Sequence, residues 1–216
     1  MRSNKIPTFL IYLTMFYVTC KLACNPMFFR QAEFTVPLIQ YHMKITCAAF
    51  IFPAIYVISD AIIALTNRKI GGLIIIFGII CDGIFSYGIS YFAKLEIPAI
   101  MSKTELLNTT SINIIAVQMW PLFYHGVIAS AAAAIGEALI FSFIYKKLNN
   151  FFISTIASII ITLVIHNLIT DYPILRDEPD AWHIIINNLL MNTSFMMVYT
   201  LIIVIFMRIH ETLKLK

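Results

Sequence analysis

Apolar residues in this chain come in long unbroken runs rather than in the one-sided spacing of a half-buried helix. The runs fall near 8–24, 46–65, 72–93, 121–145, 151–170 and 182–207. Roughly 20 residues, rising about 1.5 Å each, carry a helix across the ~30 Å hydrocarbon layer of a bilayer. The pattern therefore predicts six membrane-spanning helices. The turns TNRKIG and KKLNN are short, so spans two and three, and spans four and five, are expected to be antiparallel neighbours. The connections at 25–45, 94–120 and 171–181 are longer. In the first of them, EFTVPLIQY (33–41) is amphipathic around Pro37 and reads as a short strand or a re-entrant piece. The second ends in SINIIAVQMW, expected to be an interfacial helix anchored by Trp120, unless the fourth crossing begins earlier.

Composition agrees with this layout. The chain is 60% hydrophobic and 12% charged, with a mean hydropathy of +0.87, against about 25% charged residues in soluble domains. The expected fold class is all-α: a polytopic membrane protein, a single domain over 1–216 built as a six-helix transmembrane bundle. The N-terminal run has a long apolar core, with Lys21 just before Leu-Ala-Cys, and reads as a retained first span rather than a cleaved signal peptide.

The formal net charge of +4 comes from residues scattered through short loops. No basic stripe suggests nucleic acid, and membrane orientation accounts for them. Arg2, Lys5, Arg68, Lys69, Lys146, Lys147, Arg208, Lys214 and Lys216 fall to the termini and even-numbered loops. Lys21, Arg30, Lys44, Lys94, Lys103 and Arg176 fall to the odd-numbered ones. Nine against six places both termini in the cytoplasm. Cys20, Cys24, Cys47 and Cys81 lie in or beside apolar segments without metal-ligand spacing, and read as small buried hydrophobes.

Against this background three acids stand out: Asp60, Asp82 and Glu137 fall inside spans two, three and four. A charge at the bilayer centre costs roughly 2.5–3.5 kcal/mol on insertion scales, and such groups turn to a bundle interior or a cavity. No lysine or arginine is expected at their depth. Their neighbours repeat every four residues, one face of a helix. Span three carries Gly78, Asp82, Ser86 and Ser90; span four Gly126, Ser130, Ala133 and Glu137; span five Ser154, Ser158, Thr162 and His166, then Asn167. Span six adds Asn187, Asn188, Asn192 and Tyr199, and span two aligns Pro53, Tyr56 and Asp60. Small residues at this spacing also serve close helix packing, and His166 alone is as well explained by an interior hydrogen bond. Packing does not need the carboxylates. A polar cavity for a small solute is the expectation they support.

No HExxH, GxSxG, P-loop or His/Cys metal cluster occurs, so neither an enzyme nor a metal or cofactor site is expected. No filter sequence suggests an ion channel.

The run FIFPAIYVISDAI, with Phe52, Pro53, Tyr56 and Asp60, resembles the span-two signature of the queuosine precursor transporter family, small proteins also grouped with vitamin-uptake transporters. VIASAAAAIGEALIFSFIYKKL resembles that family's fourth span and STIASIIITLVI the span after it. Where the family carries Gln-x-x-Asp pairs, this chain has Ala138 and Phe141, then Ile159 and Thr162, with Glu137 one residue away. The resemblance implies uptake of 7-deazaguanine precursors of queuosine across a bacterial inner membrane. A carboxylate can accept the adjacent N–H and amine of a guanine-like edge together. On this reading Asp60 and Glu137, at similar depth, form one site with Tyr56, Phe52, Asp82, His166, Asn167, Asn188 and Asn192. The expected partners are a small-molecule substrate and the lipid bilayer; a homodimer is compatible. Two other classes remain. One is the substrate-binding component of an energy-coupling vitamin importer, which would add an ATPase module. The other is a membrane scaffold without transport.

Overall fold

The computed structural model describes residues 8–36, 40–98 and 100–214. Arg2, Lys5, Pro37 and Lys216 lie outside the described residues. Among the described residues, six helical stretches are long and apolar enough to cross a membrane: Thr8–Phe28, Cys47–Leu65, Arg68–Phe92, Gly126–Leu148, Phe151–Ile169 and Ala181–Ile209. They correspond one for one to the six apolar runs. Large apolar side chains such as Phe16, Leu73, Ile84 and Leu201 face outwards, while Asp60, Asp82, Ser86, Glu137, Ser158 and Asn192 are buried. That is the reverse of a water-soluble domain and suits lipid as the surrounding solvent.

The elements run in the order α1 (Thr8–Phe28), β1 (Gln31–Val36), β2 (Tyr41–Thr46), a short 3₁₀ turn (Cys47–Phe50), α2 (Phe52–Leu65), α3 (Arg68–Phe92), α4 (Lys103–Leu148), α5 (Phe151–His166), a π-helical turn (Asn167–Asp171), α6 (Tyr172–Leu175) and α7 (Ala181–Lys214). Helix α2 is central. Every residue from Pro53 to Ile63 is buried, because α1, α3, α4, α5 and α7 all pack against it. Its Pro53 sits in the first turn, where a missing N–H costs nothing.

Asparagines close the tight turns. Asn67 ends the α2–α3 connection by accepting from the N–H groups of Lys69 and Ile70 at 2.9 and 3.0 Å. Asn149 takes the left-handed conformation (φ 48°) that stops α4, a position asparagine tolerates better than most residues. Asn150 then caps α5 by accepting from Ile153 N–H at 3.1 Å. These local solutions enforce the two antiparallel hairpins read from the sequence.

One expectation changes and one of two alternatives is selected. SINIIAVQMW is not a separate interfacial helix; it belongs to α4, which runs unbroken through 46 residues and past Pro121. At about 1.5 Å per residue this helix is ~69 Å long, over twice the hydrocarbon thickness. Its N-terminal half is started by a capping box between Ser102 and Glu105. It is held along α3 by Ser90 Oγ donating to Val117 C=O at 3.1 Å, and by the rings of Trp120 and Tyr87. Of the two alternatives for 33–41, the described residues up to Val36 take the strand: β1 pairs antiparallel with β2 in the register Gln31↔Thr46 to Val36↔Tyr41. The fold is thus helical with one small strand pair.

Two adjacent asparagines of α7 hold that hairpin. Asn187 Oδ1 accepts from Tyr41 Oη at 3.1 Å and its Nδ2 donates to Lys44 C=O at 3.2 Å. Asn188 Oδ1 accepts from Thr46 N–H at 3.0 Å. Asn188→Leu leaves that buried N–H without an acceptor, a loss of about 1–3 kcal/mol. The expected outcome is faster amide exchange through Tyr41–Thr46 with α3 and α4 unchanged. Unaltered protection of β2 would contradict the clamp.

Candidate functional site

Helix α1 decides where the site lies. Gly78 on α3 meets the ring of Tyr17 so closely that any side chain there would collide with it. Four residues further along each helix, Lys21 Nζ stands 3.9 Å from Asp82 Oδ2. One turn beyond, Asn25 Nδ2 donates to Asp82 Oδ1 at 2.8 Å. Equal steps in the same direction mean that α1 and α3 run parallel, with one face of α1 stacked on the Gly78–Asp82 stripe. The expectation that no basic residue reaches the intramembrane acids is therefore corrected. Lys21 belongs to the helix interior rather than a loop, because α1 continues through Pro26 to Phe28. Its four-carbon stem brings the ammonium to a partner on the next helix.

Around this ion pair opens a cavity that is partly open to the surroundings. Its aromatic lining is Phe28, Phe52 and Phe123; its polar lining is Lys21, Asn25, Thr46, Asp82, Ser130, His166, Asn188 and Asn192. The Phe52 ring lies 4.8 Å from His166 and 5.1 Å from Tyr56, centroid to centroid. Asn188 presents its amide to the cavity while its oxygen holds Thr46. The Asn192 oxygen is buried and accepts no hydrogen bond from any described residue. Flat aromatic walls with a few convergent polar groups are the usual build of a small-molecule site.

The residues expected to form one site thus divide into two. Phe52, Asp82, His166, Asn188 and Asn192 line the cavity. Asp60 and Glu137 meet each other, as their common depth suggested, but elsewhere. Both are fully buried, with their carboxyl groups within hydrogen-bonding reach of one another. Ser158 Oγ lies 3.2 Å from Glu137 Oε1. Tyr56 is buried between the two groups, in contact with Phe52. Asn167 is buried at the start of the π-helical turn, next to His166, and does not line the cavity.

Three helices give the same offset between the two centres. On α2, Phe52 and Asp60 are eight residues apart; on α5, His166 and Ser158 are eight apart; on α4, Ser130 and Glu137 are seven apart. The acid pair therefore lies about 10–12 Å from the cavity along the bundle, towards the α2–α3 and α4–α5 turns. Tyr17 stands between the centres, close to both Asp82 and Glu137.

Sequence reasoning missed Lys21, Asn25 and Phe123. The available signal was Lys-x-x-x-Asn in KLACN, which places both side chains on one helical face. Among the described residues, no group of three or more His, Cys, Asp or Glu side chains is arranged to hold a metal ion. Compared with known proteins, the chain matches no family model, no curated protein and no solved structure.

Proposed function

We propose that this protein is a transporter for a small, planar, polar solute, and that the solute is a 7-deazaguanine precursor of queuosine. The observation that carries the reading is the Lys21–Asp82 pair, set between aromatic walls inside a bundle of membrane-spanning helices. At 3.9 Å the pair is held loosely, and each member has hydrogen-bonding capacity to spare. A guanine-like base offers an N–H and an amine side by side, with a carbonyl next to them. Asp82 accepts from the first two and Lys21 donates to the third, while Phe52 or Phe123 covers the ring face. Base reading thus falls to Asp82, the acid that faces the cavity. Asn192 supplies a free acceptor for a further donor.

Orientation supports uptake. With Lys21 assigned to a helix, nine basic residues remain on the side of the termini against five on the other. The cavity then opens on the hairpin side, away from the cytoplasm, in a bacterial inner membrane.

The test is complementation. Cells unable to make the precursor should regain queuosine in their tRNA when given this protein and an external 7-deazaguanine base. Asp82→Asn turns one acceptor into a donor facing the base, and is expected to cut uptake at least tenfold with normal membrane abundance. Wild-type uptake by Asp82→Asn would sink the assignment. Uptake that requires a co-expressed ATPase module would move the protein to the importer-subunit class.

A further inference from the structure

We propose that Asp60 and Glu137 form a proton-carrying pair, separate from the solute cavity, whose loading and unloading couples solute movement to proton movement. The coupling rests on the transporter reading above; the bound proton does not.

The inference starts from a shortage of donors. Two carboxylates present four oxygens, each able to accept more than one hydrogen bond. Neither oxygen of Asp60, nor Oε2 of Glu137, accepts a hydrogen bond of good geometry. Only Ser158 donates to Glu137, and that single proton is shared with Thr155 C=O at 3.1 Å. Thr155 faces Asp60 with a fully buried hydroxyl that makes no well-formed hydrogen bond of its own. The four carboxyl oxygens thus face two hydroxyl donors, Ser158 and Thr155, fewer than two ionised carboxylates can use.

Charge gives the same result. Among the described residues, no lysine or arginine pairs with either acid. Lys21, the basic side chain that reaches into the bundle, is engaged with Asp82. The surrounding helices add little: α1 brings the neutral phenol of Tyr17, and α5 brings Thr155 and Ser158 with His166 two turns away at the cavity. Between Gly71 and Phe92 the only charged residue of α3 is Asp82, and α7 has none between Ala181 and Met207. Two like charges in contact, sealed from water and unpaired, cost several kcal/mol per ion. A bound monovalent cation removes the like-charge contact and leaves one negative charge, shared between the two carboxyls and met by the Ser158 hydroxyl. The carboxyls reach each other directly, which suits one shared proton: one acid donates it and the other accepts. A metal ion would stand between the two carboxyls and hold them apart.

Placement makes the pair useful. It lies about two helical turns from the cavity, with Tyr17 and Tyr56 in the layer between. Solute and proton thus occupy different levels of the same helices α2, α4 and α5. A shift of these helices that reopens the cavity on the other side would also uncover the pair to water on that side.

The proton is read directly by infrared spectroscopy of the purified protein at neutral pH. Wild type should show the carbonyl stretch of a buried protonated carboxyl group, and Asp82→Asn should retain it. The double variant Asp60→Asn/Glu137→Gln keeps the shapes of both side chains and should lose it. No such band in wild type, or thermal stabilisation by sodium but not potassium, would overturn the proposal in favour of an ionised or sodium-loaded site.

The coupling is read in vesicles with labelled 7-deazaguanine. In the double variant, uptake driven by a pH gradient should fall at least tenfold while gradient-free exchange continues. Loss of both together would make the pair part of solute binding and overturn its coupling role. Failure of wild type to move any deazaguanine would sink the transporter reading, and the infrared result would still decide the bound proton.

Discussion

Lys21→Met is expected to abolish the solute uptake proposed above and to destabilise the fold, and a second substitution is expected to separate the two effects. Methionine keeps the length of the side chain and removes the charge, so Asp82 loses the ammonium at 3.9 Å and keeps the Asn25 amide. Breaking a buried pair by removing one member costs about 3–5 kcal/mol, because the other charge stays behind uncompensated. The lower end of that range applies, since Asn25 still donates at 2.8 Å and Lys21 is slightly exposed. In Lys21→Met/Asp82→Asn no charge remains to be stranded. Thermal unfolding in detergent should return close to wild type, whereas uptake stays lost because both polar partners of the solute are gone. A single variant as stable as wild type would mean that the pair contributes nothing to the fold. Uptake restored in the double variant would remove the pair from the site.

The second large effect concerns Gly78, an uncharged position one helical turn from the Lys21–Asp82 pair. Its backbone forms the notch that receives Tyr17, and this contact fixes how α1 stands against α3. Leucine there has no space, and overpacking of this kind costs about 1–3 kcal/mol through displaced side chains and backbone. The more informative consequence is geometric. Pushing α1 outward moves Lys21 and Asn25 away from Asp82 and opens one wall of the cavity. Gly78→Leu should therefore lose uptake even where folding is rescued by lower temperature. Gly72→Leu is the matched control: it lies on the same helix, with open space where its Cβ would stand. It is expected to behave as wild type in both stability and uptake. Equal damage from the two substitutions would mean that α3 simply tolerates no added bulk. Partial recovery in Tyr17→Ala/Gly78→Leu, where space is exchanged across the interface, would locate the effect in this contact.

Both predictions depend on residues that a reading along the chain handles poorly. Lys21 looked like a loop cation because basic residues flanking apolar runs usually mark membrane edges. Only the continuation of α1 to Phe28 puts it opposite Asp82. Gly78 was legible as one member of a small-residue stripe, but its partner was not, since a notch is defined by what fills it. The stripes themselves were sound. Gly78, Asp82, Ser86 and Ser90 are buried on α3, and Ser154, Ser158, Thr162 and His166 on α5. On α2 the aligned Pro53, Tyr56 and Asp60 carried less information than they suggested. That helix is buried on every side from Pro53 to Ile63, so no single face points to a site.

The sequence by itself determined what depends on solvent and on neighbours along the chain. Six apolar runs require lipid, because burying them in a soluble core of this size would leave too little polar surface to meet water. Asn67, Asn149 and Asn150 fix the tight turns through local hydrogen bonds and one left-handed residue. Four-residue spacing sets which polar groups share a helical face. Which faces meet was decided only in three dimensions. Asp60 joins Glu137 and Asp82 joins Lys21 because of the rotation and axial offset of packed helices, and these follow from side-chain fit such as Tyr17 in the Gly78 notch. Spacing along a single helix carries no record of that offset, so one expected site became two.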